Sequence, residues 1–181
     1  ARIQFGAALV DALDAGVDSD KNLLARVAGL LLPHQDADGS WQVDANAASP
    51  SAVTYGPTLA TFMARRTLER AGDTRFDAAI ARADNWLRRS DVTAIVNAAA
   101  VVLAFENRTD TASRSKLETA VSVLLETQNS DGGWGAYAKT PGEPFESALA
   151  LLALNTVRER PGIAARILKG REFLVSLQFE D

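Results

Sequence analysis

Cysteine is absent from the 181 residues, and this absence excludes several kinds of site. Without thiols the chain forms no disulfide, offers no thiolate nucleophile and supplies no cysteine ligand for zinc. The single histidine, His34, is predicted to lie in a loop, and we interpret it as structural rather than as a metal ligand or a general base. We therefore expect no metal and no cofactor. The lack of cysteine leaves the compartment open, with the cytoplasm favoured.

Long apolar runs and an excess of positive charge are also missing. No apolar run approaches the roughly 20 residues that a membrane-spanning helix needs, so we expect no integral membrane segment. The net charge of −4 argues against nucleic acid and against electrostatic docking on anionic membranes. The composition is that of a soluble globular protein, and it leaves the oligomeric state open.

Helical periodicity is the main pattern that the sequence does contain. Four stretches place apolar residues on one helical face, three are apolar nearly all round, and a shorter helix precedes them. The one-faced stretches are residues 21–34, 75–90, 112–127 and 162–177, the all-round apolar ones are 52–70, 93–107 and 144–158, and the short helix is 4–15. This alternation predicts an all-α fold of eight helices, with the apolar helices in an inner layer and the amphipathic ones outside.

One short motif occurs twice, each time behind an apolar run. Residues 35–41 read Q-D-A-D-G-S-W (motif 1) and residues 128–134 read Q-N-S-D-G-G-W (motif 2). The glutamine amide suits the orphan polar groups of helix ends, Asp-Gly is a turn pair, and tryptophan joins a large apolar face to one N–H donor. We interpret both motifs as structural and expect their tryptophans to be buried. The positions involved are Gln35, Gly39, Trp41, Gln128, Gly132 and Trp134.

These motifs resemble the QW repeat of squalene–hopene and oxidosqualene cyclases, in which a basic residue and an aromatic–leucine pair precede Gln and Gly-x-Trp. Residues 169–178 match the first half of that repeat up to Gln178, and residues 82–91 match it with Asp91 in place of Gln. The resemblance is to the superfamily of terpenoid cyclases and prenyltransferase β subunits, and it implies an α/α toroid of helix hairpins. We expect residues 1–181 to form one toroid domain and, because the chain stops within a third motif, to be part of a longer toroid.

The sequence departs from that superfamily at the catalytic acid. Class II terpene cyclases protonate their substrate with a D-x-D-D motif at the start of an inner helix. No such motif occurs here, and its nearest counterpart is E-P-F-E-S-A at 143–148, with Phe145 where the proton donor is expected. Glu143 and Glu146 are the candidate catalytic residues, and the alternative is that they only favour a helix N-terminus. The prenyltransferase zinc site requires a cysteine and is excluded.

Three functions follow from the resemblance and its departures. We favour a toroid domain that lacks the cyclase proton donor and binds an apolar, isoprenoid-like ligand or a partner in its lumen. Its candidate ligand-binding residues are Tyr55, Tyr137 and Phe145, although a tyrosine in these positions also suits packing or capping. One alternative is a class II terpene cyclase-related enzyme whose acid lies outside this chain, and the other is a non-catalytic helical repeat scaffold. Whether the chain is an enzyme stays open at this point.

Overall fold

The computed structural model describes residues 2–17, 21–43 and 56–178, and within these ranges the chain is helical with no β-strand. The predicted all-α fold is confirmed, and it is compatible with an α/α toroid. Its α-helices are α1 (Arg2–Asp14), α2 (Lys21–Leu31), α3 (Pro57–Ala71), α4 (Asp77–Arg89), α5 (Ile95–Phe105), α6 (Thr111–Thr127), α7 (Pro144–Thr156) and α8 (Ile163–Ser176). None of the helices in the described ranges combines the length and apolar character needed to cross a bilayer.

The helix ends follow local chemistry that the periodicity alone does not show. Two apolar helices start with proline, Pro57 in α3 and Pro144 in α7, at the position where a missing N–H costs nothing. Gly56 is extended, so α3 begins later than the predicted residue 52. Asp110 caps α6, because its Oδ1 accepts a hydrogen bond from the Ser113 backbone N at 3.0 Å.

The helices fall into two compact units, and α1 to α4 form the first. In this unit α3 packs against α1, α2 and α4, and most of its apolar side chains are buried. The buried Arg65 of α3 donates from Nε to Oδ1 of Asp84 in α4 at 2.7 Å and also pairs with Glu69. Because both guanidinium and carboxylate are buried, removing either partner alone would leave an uncompensated charge inside the unit.

The second unit contains α5 to α8. Here α5 packs against α6 and α7, while α7 also packs against α8. Most of α5 is buried, as expected of a helix that is apolar all round. Helix α7 differs from this expectation, because Phe145 and Leu152 remain exposed while Leu149 and Leu154 are buried. The neighbouring helices therefore cover only part of an apolar surface that extends around α7.

Candidate functional site

Motif 1 fastens the end of α2 and its following turn to α4 through one glutamine side chain. The Nε2 of Gln35 donates to the carbonyl oxygens of Gly39, at 3.0 Å, and Ala79, at 2.9 Å. Arg82, one turn along α4, donates to Oε1 of the same glutamine. The amide nitrogen therefore bonds both the turn and α4, and the amide oxygen bonds α4.

Motif 2 makes the same bonds in the second unit. The Nε2 of Gln128 donates to the carbonyl oxygens of Gly132 and Arg166, each at 2.9 Å. The Arg166 guanidinium donates to Oε1 of Gln128 at 3.4 Å. The two glutamines thus bind equivalent carbonyl oxygens, in α4 for motif 1 and in α8 for motif 2, whereas the arginine that donates to Oε1 comes from a different position in each helix.

The glycine of each motif occupies a position that a side chain cannot share. The φ angle is +99° at Gly39 and +93° at Gly132, in the region that favours glycine. A Cβ atom at Gly39 would lie 2.4 Å from the carbonyl oxygen of Arg82, and one at Gly132 would lie 2.4 Å from that of Lys169. Each turn therefore lies directly against the backbone of the helix that its glutamine binds.

The tryptophan of each motif is fully buried, so the predicted burial is confirmed. The indole Nε1 of Trp41 donates to the carbonyl oxygen of Leu31 at 2.9 Å, and that of Trp134 donates to Leu124 at 2.7 Å. Each bond satisfies a carbonyl near the end of the preceding helix, where no intrahelical partner follows. The buried indole ring and the hydrogen bond of its N–H therefore both stabilise the junction between helix and turn.

A hydroxyl on the next apolar helix completes each junction, and this feature was missed in the sequence. The backbone N of Trp41 donates to Oγ1 of Thr61 in α3 at 3.0 Å, and that of Trp134 donates to Oγ of Ser147 in α7 at 2.9 Å. Thr61 and Ser147 are thus structurally equivalent. The sequence did contain a signal for this feature: after each motif, a serine or threonine lies within two turns of the proline that starts the next helix.

Glu146, the residue before Ser147, is fully buried, and neither of its carboxyl oxygens has a hydrogen-bond partner within the described part of the chain. Its equivalent before Thr61 is Ala60, which is also fully buried. Burial raises the pKa of Glu146; its own backbone N–H lowers the pKa to a smaller extent, and the charge of Glu143 raises it further. The second unit therefore holds a carboxyl where the first has a methyl group.

Of the remaining candidate residues, only some lie near the start of α7. Glu143 is the exposed N-cap of α7, so it shares one helical turn with Phe145 and Glu146. Phe145 is 38% exposed, and Tyr137, in the loop before α7, is 57% exposed. Gln178 is exposed after α8, and Tyr55 lies outside the described residues.

Leu152 was not selected in the sequence, although it lies seven residues after Phe145 and hence on the same side of α7. Its side chain is 63% exposed, more than that of Phe145. Among residues 2–17, 21–43 and 56–178 no group of three or more histidine, aspartate or glutamate side chains is placed to hold a metal ion.

Comparison with known proteins relates the chain to terpene cyclases at a distance. No protein-family model matches it. The drimenyl diphosphate synthase of Streptomyces showdoensis is 26% identical over 159 residues, which cover 82% of this chain and 30% of that protein. The ent-copalyl diphosphate synthase of Streptomyces sp. (strain KO-3988) is 31% identical over 140 residues, covering 70% of this chain and 26% of that protein. The chain is thus a distant homologue of class II terpene cyclase-like proteins and spans less than a third of either relative.

Proposed function

We propose that this chain is an α/α-toroid domain that binds an apolar, isoprenoid-like ligand along the exposed side of α7. The observation that carries the proposal is the exposure of Phe145 and Leu152 on a helix whose other leucines and alanines are buried or half-buried. Because they are seven residues apart, the two side chains lie about two turns apart on one side. Covering such side chains with an apolar ligand contributes about 1.5–3 kcal/mol each.

Two further observations support a ligand of this class. The chain is distantly related to class II terpene cyclase-like proteins, whose substrates are isoprenoid. Tyr137, exposed in the loop before α7, adds an aromatic ring with a polar tip near the start of the helix. In this proposal residues 1–181 belong to one toroid domain of a longer toroid, and the domain binds its ligand without the cyclase proton donor, because Phe145 occupies that position.

The proposal is tested by titrating the purified chain with farnesol, an isoprenoid alcohol, and measuring binding by calorimetry. We expect Leu152→Asp to weaken binding about tenfold, since it replaces apolar contact with a charge that must be desolvated. Leu30→Asp is the matched control, because Leu30 is an exposed leucine on α2 of the first unit. Equal affinity in the wild type, Leu152→Asp and Leu30→Asp, or no binding at all, would reject the site.

A second candidate function is an acid-dependent reaction related to those of class II terpene cyclases. The observation that favours it is Glu146, a fully buried carboxyl with a raised pKa, one residue after the position of the expected donor. A buried acid whose pKa is raised holds its proton to a higher pH than an exposed one and is suited to proton donation. Formation of a cyclised product that disappears in Glu146→Gln would favour this function over ligand binding alone.

A further inference from the structure

Glu146 makes no contribution that the fold of this region requires. The two motifs form equivalent bonds, and the helices that follow them supply equivalent hydroxyls from Thr61 and Ser147. The first unit completes this arrangement with Ala60 at the position of Glu146. The internal repeat thus provides a natural comparison in which alanine suffices. The carboxyl of Glu146 therefore needs an explanation other than folding.

The usual structural roles of a glutamate near a helix start are not filled here. A glutamate three residues after the N-cap commonly accepts a hydrogen bond from the N-cap backbone N–H. At Glu143, the N-cap of α7, that N–H instead donates to the carbonyl oxygen of Trp134 at 2.8 Å. Neither carboxyl oxygen of Glu146 bonds to another described residue, so the side chain forms neither the capping bond to the Glu143 N–H nor an ion pair.

The surroundings of Glu146 favour its neutral form. Helix α5, which packs against α7, contains no charged side chain. The charged residues of α6 and α8, which also pack against α7, and Lys139 in the loop before α7 are exposed, except for the half-buried Lys116. The charge that acts on Glu146 is that of Glu143, and it is negative. A protonated carboxyl has one O–H donor and a carbonyl acceptor, both unused in this structure.

The loop that precedes α7 contains one backbone conformation that is uncommon for its residue type. Lys139 has φ +65°, which is uncommon for a residue other than glycine. The two ends of the loop are held together, because the backbone N of Glu143 donates to the carbonyl oxygen of Trp134 at 2.8 Å. Within the loop, the carbonyl oxygen of Ala136 accepts a hydrogen bond from the backbone N of Ile95 in α5 at 3.0 Å. Strain held by surrounding bonds is common at ligand sites, where a loop must open and close.

We infer that Glu146 is a ligand-binding residue whose protonated carboxyl donates a hydrogen bond to a neutral oxygen, a hydroxyl or carbonyl, of an otherwise apolar ligand that binds at the start of α7. The inference rests on the proposed function and names the ligand class of that site: an oxygenated neutral isoprenoid. An anionic phosphate at this position is disfavoured, because Glu143 repels it and α5 offers no cation. Desolvating a phosphate without a partner is also unfavourable.

The test compares farnesol, the hydrocarbon farnesene and farnesyl diphosphate by calorimetry. We expect the wild type to bind farnesol about tenfold more tightly than farnesene, the ratio that one buried hydrogen bond gives. Glu146→Ala, which copies Ala60, is expected to bind the two equally, with farnesene affinity unchanged. Glu146→Gln is expected to keep the preference, since its amide N–H also donates. Glu126→Gln is the control, because Glu126 is an exposed carboxyl of α6 that is not among the groups acting on Glu146.

The pH dependence separates a bonding role from a packing role. As the pH rises through the raised pKa of Glu146, the wild type is expected to lose its preference for farnesol, whereas Glu146→Gln keeps it. Equal wild-type affinity for farnesol and farnesene overturns the inference and leaves the proposed function standing. Tighter binding of farnesyl diphosphate than of farnesol overturns it as well. Binding of none of the probes overturns both.

Discussion

The backbone of Trp134 and the side chain of Ser147 are joined by two hydrogen bonds. Ser147 Oγ accepts from the Trp134 backbone N at 2.9 Å and donates to the Trp134 carbonyl oxygen at 3.2 Å. A single hydroxyl thus satisfies both polar groups of a buried residue and ties motif 2 to the first turn of α7. Because Glu146 directly precedes Ser147, this pair also sets where the unpartnered carboxyl lies.

Ser147→Ala is expected to destabilise the protein by about 1–3 kcal/mol, because it leaves the buried Trp134 N–H without its acceptor. The free energy of unfolding in urea measures the loss. Ser147→Thr is expected to restore most of it, since a threonine, Thr61, holds the equivalent bond in the first unit. A loss below about 0.5 kcal/mol in Ser147→Ala would show that the pair contributes little to stability.

Gly132→Ala is expected to cost at least about 2 kcal/mol, since it combines an unfavourable positive φ with a clash against backbone. The added methyl group would lie 2.4 Å from the carbonyl oxygen of Lys169. Gly16→Ala is the control, because Gly16 has φ +73° but no atom within 4 Å of an added Cβ. The difference between the two variants in urea unfolding isolates the clash. Equal losses would mean that motif 2 does not press against α8 as described.

The pH dependence of stability should show the burial of Glu146. Its pKa is raised from the ordinary 4.5, so the unfolded chain gives up this proton at lower pH than the folded one. Glu146 thus disfavours folding progressively as the pH rises from the unfolded pKa through the folded pKa. Glu146→Gln removes this effect and is expected to gain stability relative to the wild type as the pH rises above the ordinary pKa of 4.5.

The comparison of variant and wild type is needed because other carboxyls act in the opposite direction. Hydrogen bonds lower the pKa of Asp14, Asp38 and Asp91, so these groups favour folding above their unfolded pKa and lose that effect as the pH falls. Glu126→Gln serves as the control, because Glu126 is an exposed carboxyl of α6 that is not among the groups acting on Glu146. A stability difference between Glu146→Gln and the wild type that stays constant with pH would contradict the buried, neutral carboxyl.

The sequence predicted the helices well because apolar periodicity reports which faces are covered. All eight predicted helices are present within the described residues, and the ends that moved, such as the start of α3 at Pro57, depend on local capping. The exposed side of α7 was not predicted. An all-round apolar helix has the same pattern whether a protein neighbour, a ligand or solvent meets one of its sides, so Leu152 gave no signal of its own.

The candidate site was predicted only where its interacting residues lie close together in the sequence. The motifs were recognised, but Gln35 and Gln128 bind carbonyl oxygens 44 and 38 residues away, and main-chain acceptors have no residue preference to detect. Glu146 was selected for its position near the absent D-x-D-D motif. Its lack of partners is a property of packing, because a glutamate in a sequence gives no indication of which groups surround it.

If Phe145 takes the place of the proton donor, as we propose, the purified chain is expected not to cyclise squalene or a linear diterpene, because phenylalanine has no acidic group. Incubation with each substrate, followed by gas chromatography and mass spectrometry of the extract, measures this directly. Phe145→Asp tests the reason: a carboxyl at that position, next to the buried Glu146, is the arrangement closest to D-x-D-D that one substitution creates. Product from the wild type that is lost in Glu146→Gln would contradict the expectation and assign the acid to Glu146. Product that persists in Glu146→Gln would instead place the acid on another residue.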